Sequence, residues 1–158
     1  MVYRIATRTT DYGADDLSGE GAKRSGGRWN PIGVPAVYTS TTRALACLET
    51  IVHFTTATKL PLNRYLIELT VPADSWAART LCIDPPSVGW DAEPPGRVSI
   101  HWGAAWLAGG VSLIADVPSV LVPEERNILI NPAHADIGRI TARMVRRWTY
   151  DGRLSARR

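Results

Sequence analysis

Two cysteines, two methionines, one phenylalanine and three histidines are spread through 158 residues, and each scarcity removes a class of protein. Cys47 and Cys82 are too few to staple a scaffold and read as buried small hydrophobes or a free thiol. The histidines lack companions at the spacing a metal site needs, so no resident metal is expected. No HExxH, paired CxxC, Walker loop, complete dinucleotide fingerprint or nucleophile elbow occurs, which leaves zinc hydrolysis, nucleotide hydrolysis and serine-hydrolase chemistry without a template. No apolar run reaches the length of a bilayer, and Met1-Val2-Tyr3-Arg4 opens neither a long apolar run nor a small-residue cleavage site. A soluble, cytoplasmic protein is expected.

What the chain does have is apolar bulk, at 45% of residues with six tryptophans. That suits one packed domain over residues 1–158 rather than disorder. Charge is unevenly placed. Seven arginines against Asp151 give the last twenty residues +6, which leaves −3 for residues 1–138 out of a formal net charge of +3. A basic end of this kind meets solvent first, with nucleic acid or an acidic partner as alternatives.

Residues 2–6 alternate as an opening strand, with Arg4 on the face of Val2 and Ala6, an inner position for a charge. Residues 11–27, with five glycines, read as one long loop leading into Gly26-Gly27-Arg28-Trp29-Asn30. The glycine pair permits a turn and close approach of a ligand, and the Arg28 fork suits two oxygens of a phosphate or carboxylate. An arginine simply paired with a nearby acid is the plain alternative. A short strand at 35–39 carries Tyr38 near its end, and Ser40 or Thr41 can cap a helix over residues 42–54. In that helix Ala44, Leu45, Leu48, Ile51 and Val52 form the apolar face, Glu49 lies on its boundary and His53 lies farther round, as a surface histidine does.

After linker residues 55–59, strand signals recur at 63–69, 111–115, 117–123 and 127–131, with a short helix at 73–79 and another from Ser99 to the Gly109-Gly110 stop. Pro118 bends the chain before Ser119, so the hydroxyl is presented between strands or serves only as a turn residue. The prolines of residues 81–97 suit a loop crossing the surface. Residues 137–150 fit a basic amphipathic helix and a strand equally well. Arginine, a boundary glutamate, tyrosine and serine together suit cleavage of a glycosidic bond: a carboxylate can stabilise an oxocarbenium-like sugar, arginine can hold a diphosphate and an aromatic ring can stack on a planar base.

The segment GGRWNPIGVPAVYTSTTRALACLETIVH, with VPSVLVPEERNILINPAH and a terminal WTYDGRL, resembles the RES-domain family, named for an arginine, a glutamate and a serine. The resemblance covers most of the chain and puts those residues at Arg28, Glu49 and Ser119 as the catalytic set, with Tyr38 as a further binding aromatic. It implies an α+β fold, a compact mixed sheet with helices similar to that of ADP-ribosyltransferase toxins, and favours a strand near Met144. It also implies a toxin of a type II toxin–antitoxin system that consumes NAD as substrate by phosphorolysis or hydrolysis. Transfer of ADP-ribose to a protein is the alternative within the enzyme class, and a non-catalytic nucleic-acid or protein interaction module is the alternative outside it. The implied roles are diphosphate binding for Arg28, stacking on nicotinamide for Tyr38, stabilisation of the ribosyl cation for Glu49 and a hydrogen bond to ribose or nicotinamide for Ser119. The implied partner is an antitoxin whose helix-turn-helix region binds DNA and whose separate region covers the pocket; phosphate is a candidate co-substrate.

Overall fold

A computed structural model describes residues 1–54, 60–82 and 88–154; the linker at 55–59, part of the proline-rich loop and the last four residues lie outside the described residues. Strands Val2–Thr7 (β1), Val37–Ser40 (β2), Arg64–Thr70 (β3), Thr80–Leu81 (β4), Ile114–Pro118 (β5), Arg126–Ile130 (β6) and Thr141–Trp148 (β7) form one sheet in the order β4-β5-β6-β2-β1-β3-β7. Every pairing is antiparallel except β4 with β5. The helices are Glu20–Ser25 (α1), Arg43–Ile51 (α2), Ala73–Ala77 (α3) and Arg97–Gly109 (α4). The mixed α+β class expected from the sequence holds.

Side-chain alternation divides the core. Val2 and Ala6, Ile67 and Leu69, and Ile128 and Ile130 pack together on one face. On the other, Ala115, Val117 and Leu129 meet Trp106 and Leu107 of α4, while Ile5 and Leu66 meet Ala46 of α2. The central strands are buried on both faces, which accounts for their near-continuous apolar runs.

Four local expectations change. The long glycine-rich loop contains α1, supported by Glu20 pairing with Lys23 and Arg24 one turn on. The cap of α2 is Thr42, whose Oγ1 accepts from Leu45 N–H at 3.0 Å. Leu48 and Ala44 face solvent, and Ala46 takes the buried stripe with Leu45; the helix is turned so that Ala46, Glu49 and Thr50 look toward the sheet. The two strands expected at 111–115 and 117–123 are the single strand β5, because Asp116 in its middle is neutralised by Arg126 at 2.6 Å and Arg79 at 3.2 Å. Residues 141–148 resolve as strand rather than helix. β7 covers the outer edge of β3 over seven register pairs, and its Arg143 reaches the otherwise buried Glu68 at 2.7 Å.

One irregularity of the sheet positions the site. β1 holds β3 through six register pairs but meets β2 at Tyr3↔Ser40 alone. Beyond that bridge the two strands part. The gap between them is closed on one side by α2 and on the other by the segment entering α1.

Candidate active site

A cavity of about 320 Å³ occupies this split. Residues 3–7 of β1 and 36–40 across β2 line it, together with the start of α1, Asn127 of β6, and Ala46, Glu49, Thr50 and His53. The last four share a stripe because they recur at helical spacing. His53, expected on the outer surface, is exposed yet belongs to the cavity wall.

Glu49 is held from one side. Its Oε1 accepts from Asn127 Nδ2 at 2.5 Å and from Ser119 Oγ at 2.8 Å. Asn127 is itself oriented by Ser40, whose Oγ donates to Oδ1 at 2.7 Å. Ser119, wholly buried, accepts at Oγ from Leu121 N–H and Val122 N–H at 3.1 and 3.2 Å. Both lone pairs are thereby occupied, so its single proton points to Glu49. Where a bond from Ser119 to substrate is expected, the buried hydroxyl in this structure donates to Glu49. Among the described residues no partner is recorded for Glu49 Oε2, which leaves one carboxylate oxygen for the cavity.

Tyr38 lines the cavity, and its hydroxyl organises the glycine turn behind it. The oxygen accepts from Trp29 N–H at 2.9 Å and donates to Asn30 Oδ1 at 2.7 Å. Burial, the largest influence, pushes its pKa well above the ordinary phenol value, so it stays neutral and keeps both bonds. A Cβ on Gly27 would sit 2.6 Å from that hydroxyl and 2.9 Å from Asn30 Oδ1. The glycine therefore makes room for Tyr38 and Asn30 and not for a ligand. Asn30, wholly buried, ties the turn to Ala22 and Val34 carbonyls at 3.0 and 2.8 Å.

Arg28 points elsewhere. Its Nη1 donates to the carbonyls of Trp90 and Ala92 at 3.0 and 2.9 Å, and Nη2 meets Glu93 at 3.2 Å. It is absent from the cavity wall. The structure thus brings Glu49, Ser119 and Tyr38 to one place and leaves the Arg28 guanidinium strapping residues 90–93 to the turn. A cation does reach the cavity, from β1: Arg4 lies deep in the protein, and its Nη1 donates to Asp16 O at 3.1 Å. Asn127 was not singled out from the sequence as a site residue, Ser40 was read only as a helix cap, and Asn30 only as the end of the glycine turn. A polar residue opening the apolar run Ile128-Leu129-Ile130 was the available signal for Asn127.

Residues 1–152 match the RES domain family; the chain belongs to it. It is 54% identical over 153 residues to the "Prs ADP-ribosylating toxin" of Sphingobium sp. (strain YBL2), covering 96% of this chain and 94% of that protein. It is 38% identical over 135 residues to a "Toxin Res" of Yersinia enterocolitica, covering 85% of each. Among solved structures, a chain of the M. tuberculosis MbcT–MbcA toxin–antitoxin complex superposes with a TM-score of 0.57 over 90% of this chain and 80% of that one, at 22% identity. That likeness establishes the shared fold.

Proposed function

We propose that the protein is the toxin of a toxin–antitoxin pair and breaks the bond between nicotinamide and ribose in NAD. The observation that carries this reading is Glu49: a carboxylate fixed through one oxygen by two donors, with the other oxygen facing a cavity that an aromatic ring also lines. An oxocarbenium-like sugar needs a negative charge that does not have to reorganise as the cation forms, and a preoriented carboxylate supplies it. As the C–N bond breaks, its electron pair passes to the pyridinium nitrogen and nicotinamide leaves neutral. The sugar carbon is captured by a nucleophile, which gives up a proton. Glu49 Oε2 stabilises the ribosyl cation, Ser119 and Asn127 hold Oε1, and the Tyr38 ring lies against the planar leaving group.

The acceptor is the open half of the chemistry. The family resemblance implies phosphate or water, whereas the name of a relative 54% identical over nearly the whole chain, an ADP-ribosylating toxin, favours a protein side chain. We take protein ADP-ribosylation as the first reading and loss to phosphate or water as the second. An antitoxin covering the cavity is consistent with the fold shared with a toxin solved beside its antitoxin.

Purified protein is incubated with NAD alone, with phosphate and with cell extract, and products are weighed by mass spectrometry. A protein gaining ADP-ribose supports the first reading, ADP-ribose 1″-phosphate or free ADP-ribose the second, and intact NAD in all three overturns both. Glu49→Gln should lower the rate on the order of a hundredfold; an unchanged rate removes the glutamate from the mechanism.

A further inference from the structure

β7 ends the sheet on one side, and the strand order leaves its outer edge without a neighbour among the described residues. Such an edge is a template, because Thr141–Trp148 offers a row of backbone N–H and C=O groups to any extended chain that lies beside it. What flanks the row decides which chain that is. The register with β3 sets Arg143 and Arg146 on the face of α2, across from Glu68 and Leu66, and Arg147 on the other face, across from Tyr65. Glu68 is already shared, by Arg143 at 2.7 Å and by Arg43 of α2 at 3.1 Å. Arg146 lies over the Trp148 ring, 4.4 Å from its centroid, and donates to the Arg147 carbonyl, while Arg147 Nε donates to the Leu62 carbonyl at 2.9 Å. Among the described residues neither Arg146 nor Arg147 forms an ion pair.

The three arginines of β7 are exposed, as are Met144 and Val145 between them. A second copy of this chain is the wrong occupant for the edge: pairing two β7 strands sets arginines near arginines, and like charges across a strand pair are destabilising. A polynucleotide would use the guanidiniums and leave the backbone row unpaired. An extended acidic peptide uses both. We infer that the outer edge of β7 is a docking site for an acidic, extended segment of another protein, which adds as a further strand with its carboxylates near Arg143, Arg146 and Arg147 and its apolar side chains near Met144 and Val145. At about 4.8 Å per strand the added segment lies about 14 Å from β1. It holds the partner to the protein while leaving the split between β1 and β2 open, and the inference is independent of the NAD reading.

The test is fluorescence anisotropy of the full chain with labelled probes: a peptide alternating Glu and Val and long enough to span β7, the same peptide with Lys for Glu, the Glu–Val peptide N-methylated at alternate amides, and an oligothymidylate of matching length. The Glu–Val peptide should bind and the Lys–Val peptide should not. Methylation removes pairing N–H groups at constant charge and should weaken binding roughly tenfold or more. Arg146→Glu combined with Arg147→Glu should weaken it roughly tenfold, through lost attraction and new repulsion. Arg146→Gln combined with Arg147→Gln should fall between and carries the test if charge reversal disturbs folding. Amide hydrogen exchange of residues 141–148 should slow when the peptide is bound. A parent that does not bind the Glu–Val peptide overturns the inference, as does equal affinity for the methylated peptide, equal affinity of parent and variants, or unchanged exchange across 141–148. Tighter binding of the oligothymidylate than of the Glu–Val peptide overturns it in favour of a nucleic-acid surface.

Discussion

Removing the Ser119 hydroxyl distinguishes a serine that touches substrate from one that works through Glu49. Ser119→Ala deletes a hydrogen bond to a carboxylate at 2.8 Å, worth about 1.5–3 kcal/mol because its acceptor is charged. It also releases the N–H groups of Leu121 and Val122, and Leu121 is exposed enough for water to replace part of what is lost. A net loss of about 2–3 kcal/mol lowers the melting temperature of a domain of this size by about 4–12 °C. At a temperature well below that melt, the surviving effect on rate reports on Glu49. Asn127 still grips Oε1 at 2.5 Å, but the carboxylate has lost its second anchor. A displacement of this kind costs roughly tenfold to a hundredfold in kcat with little change in KM.

The decisive measurement is the double variant. If Ser119 acts only by orienting the charge of Glu49, its removal is nearly silent once Glu49→Gln has removed that charge, and the double variant turns over NAD as slowly as Glu49→Gln alone. Losses that multiply across the two substitutions mean that the serine meets substrate independently, and the assignment drawn from its three bonds fails.

Two further outcomes are expected. Gly27→Ala forces a Cβ against the Tyr38 hydroxyl and Asn30 Oδ1 at 2.6 and 2.9 Å, both held by their own bonds, and should cost about 1–3 kcal/mol in a denaturant melt; Gly138→Ala, whose Cβ meets nothing within 4 Å, should be silent, and equal melts refute the packing account. Hydrogen bonding from Arg143 first, then from Arg43, holds Glu68 below the ordinary glutamate value of about 4.3. A depressed folded pKa contributes stability that is complete above the unfolded value and lost as pH falls through the folded one. The parent should therefore exceed Glu68→Gln in melting temperature at neutral pH and converge on it as the pH falls below the ordinary glutamate range; a gap constant with pH refutes the charge as its source.

The elements legible in the sequence were those in which local pattern and tertiary packing agree. β3 alternates and is paired along its length, and α4 ends where Gly110 takes a left-handed conformation. Glu49 was legible as a boundary residue because it lies about 100° around the helix from the centre of the set Ala44, Leu45, Leu48, Ile51 and Val52. The direction in which α2 is rotated was not legible. Leu48 is as apolar as Leu45, and only the splayed strands beneath decide that Ala46 and Thr50 face inward while Leu48 is left to solvent. Residues 141–148 were ambiguous for a related reason: both periods fit, and the choice fell to the open edge of β3 and to Glu68, sixty residues or more away in sequence.

The two arginines show what local sequence leaves open about the surroundings of a charge. Arg28 follows two glycines in the pattern of an anion loop, yet each glycine-turn feature has a partner inside the fold: Tyr38 fills the space that Gly27 leaves, and the carbonyls of Trp90 and Ala92, more than sixty positions downstream, take the guanidinium. Arg4 sits in an ordinary alternating strand with no motif around it. Its strand parts from β2 after a single bridge, and that tertiary event converts an inward-pointing charge from a packing burden into a group facing a cavity. Local sequence sets which residue types are offered; the strand split decides which of them line the cavity.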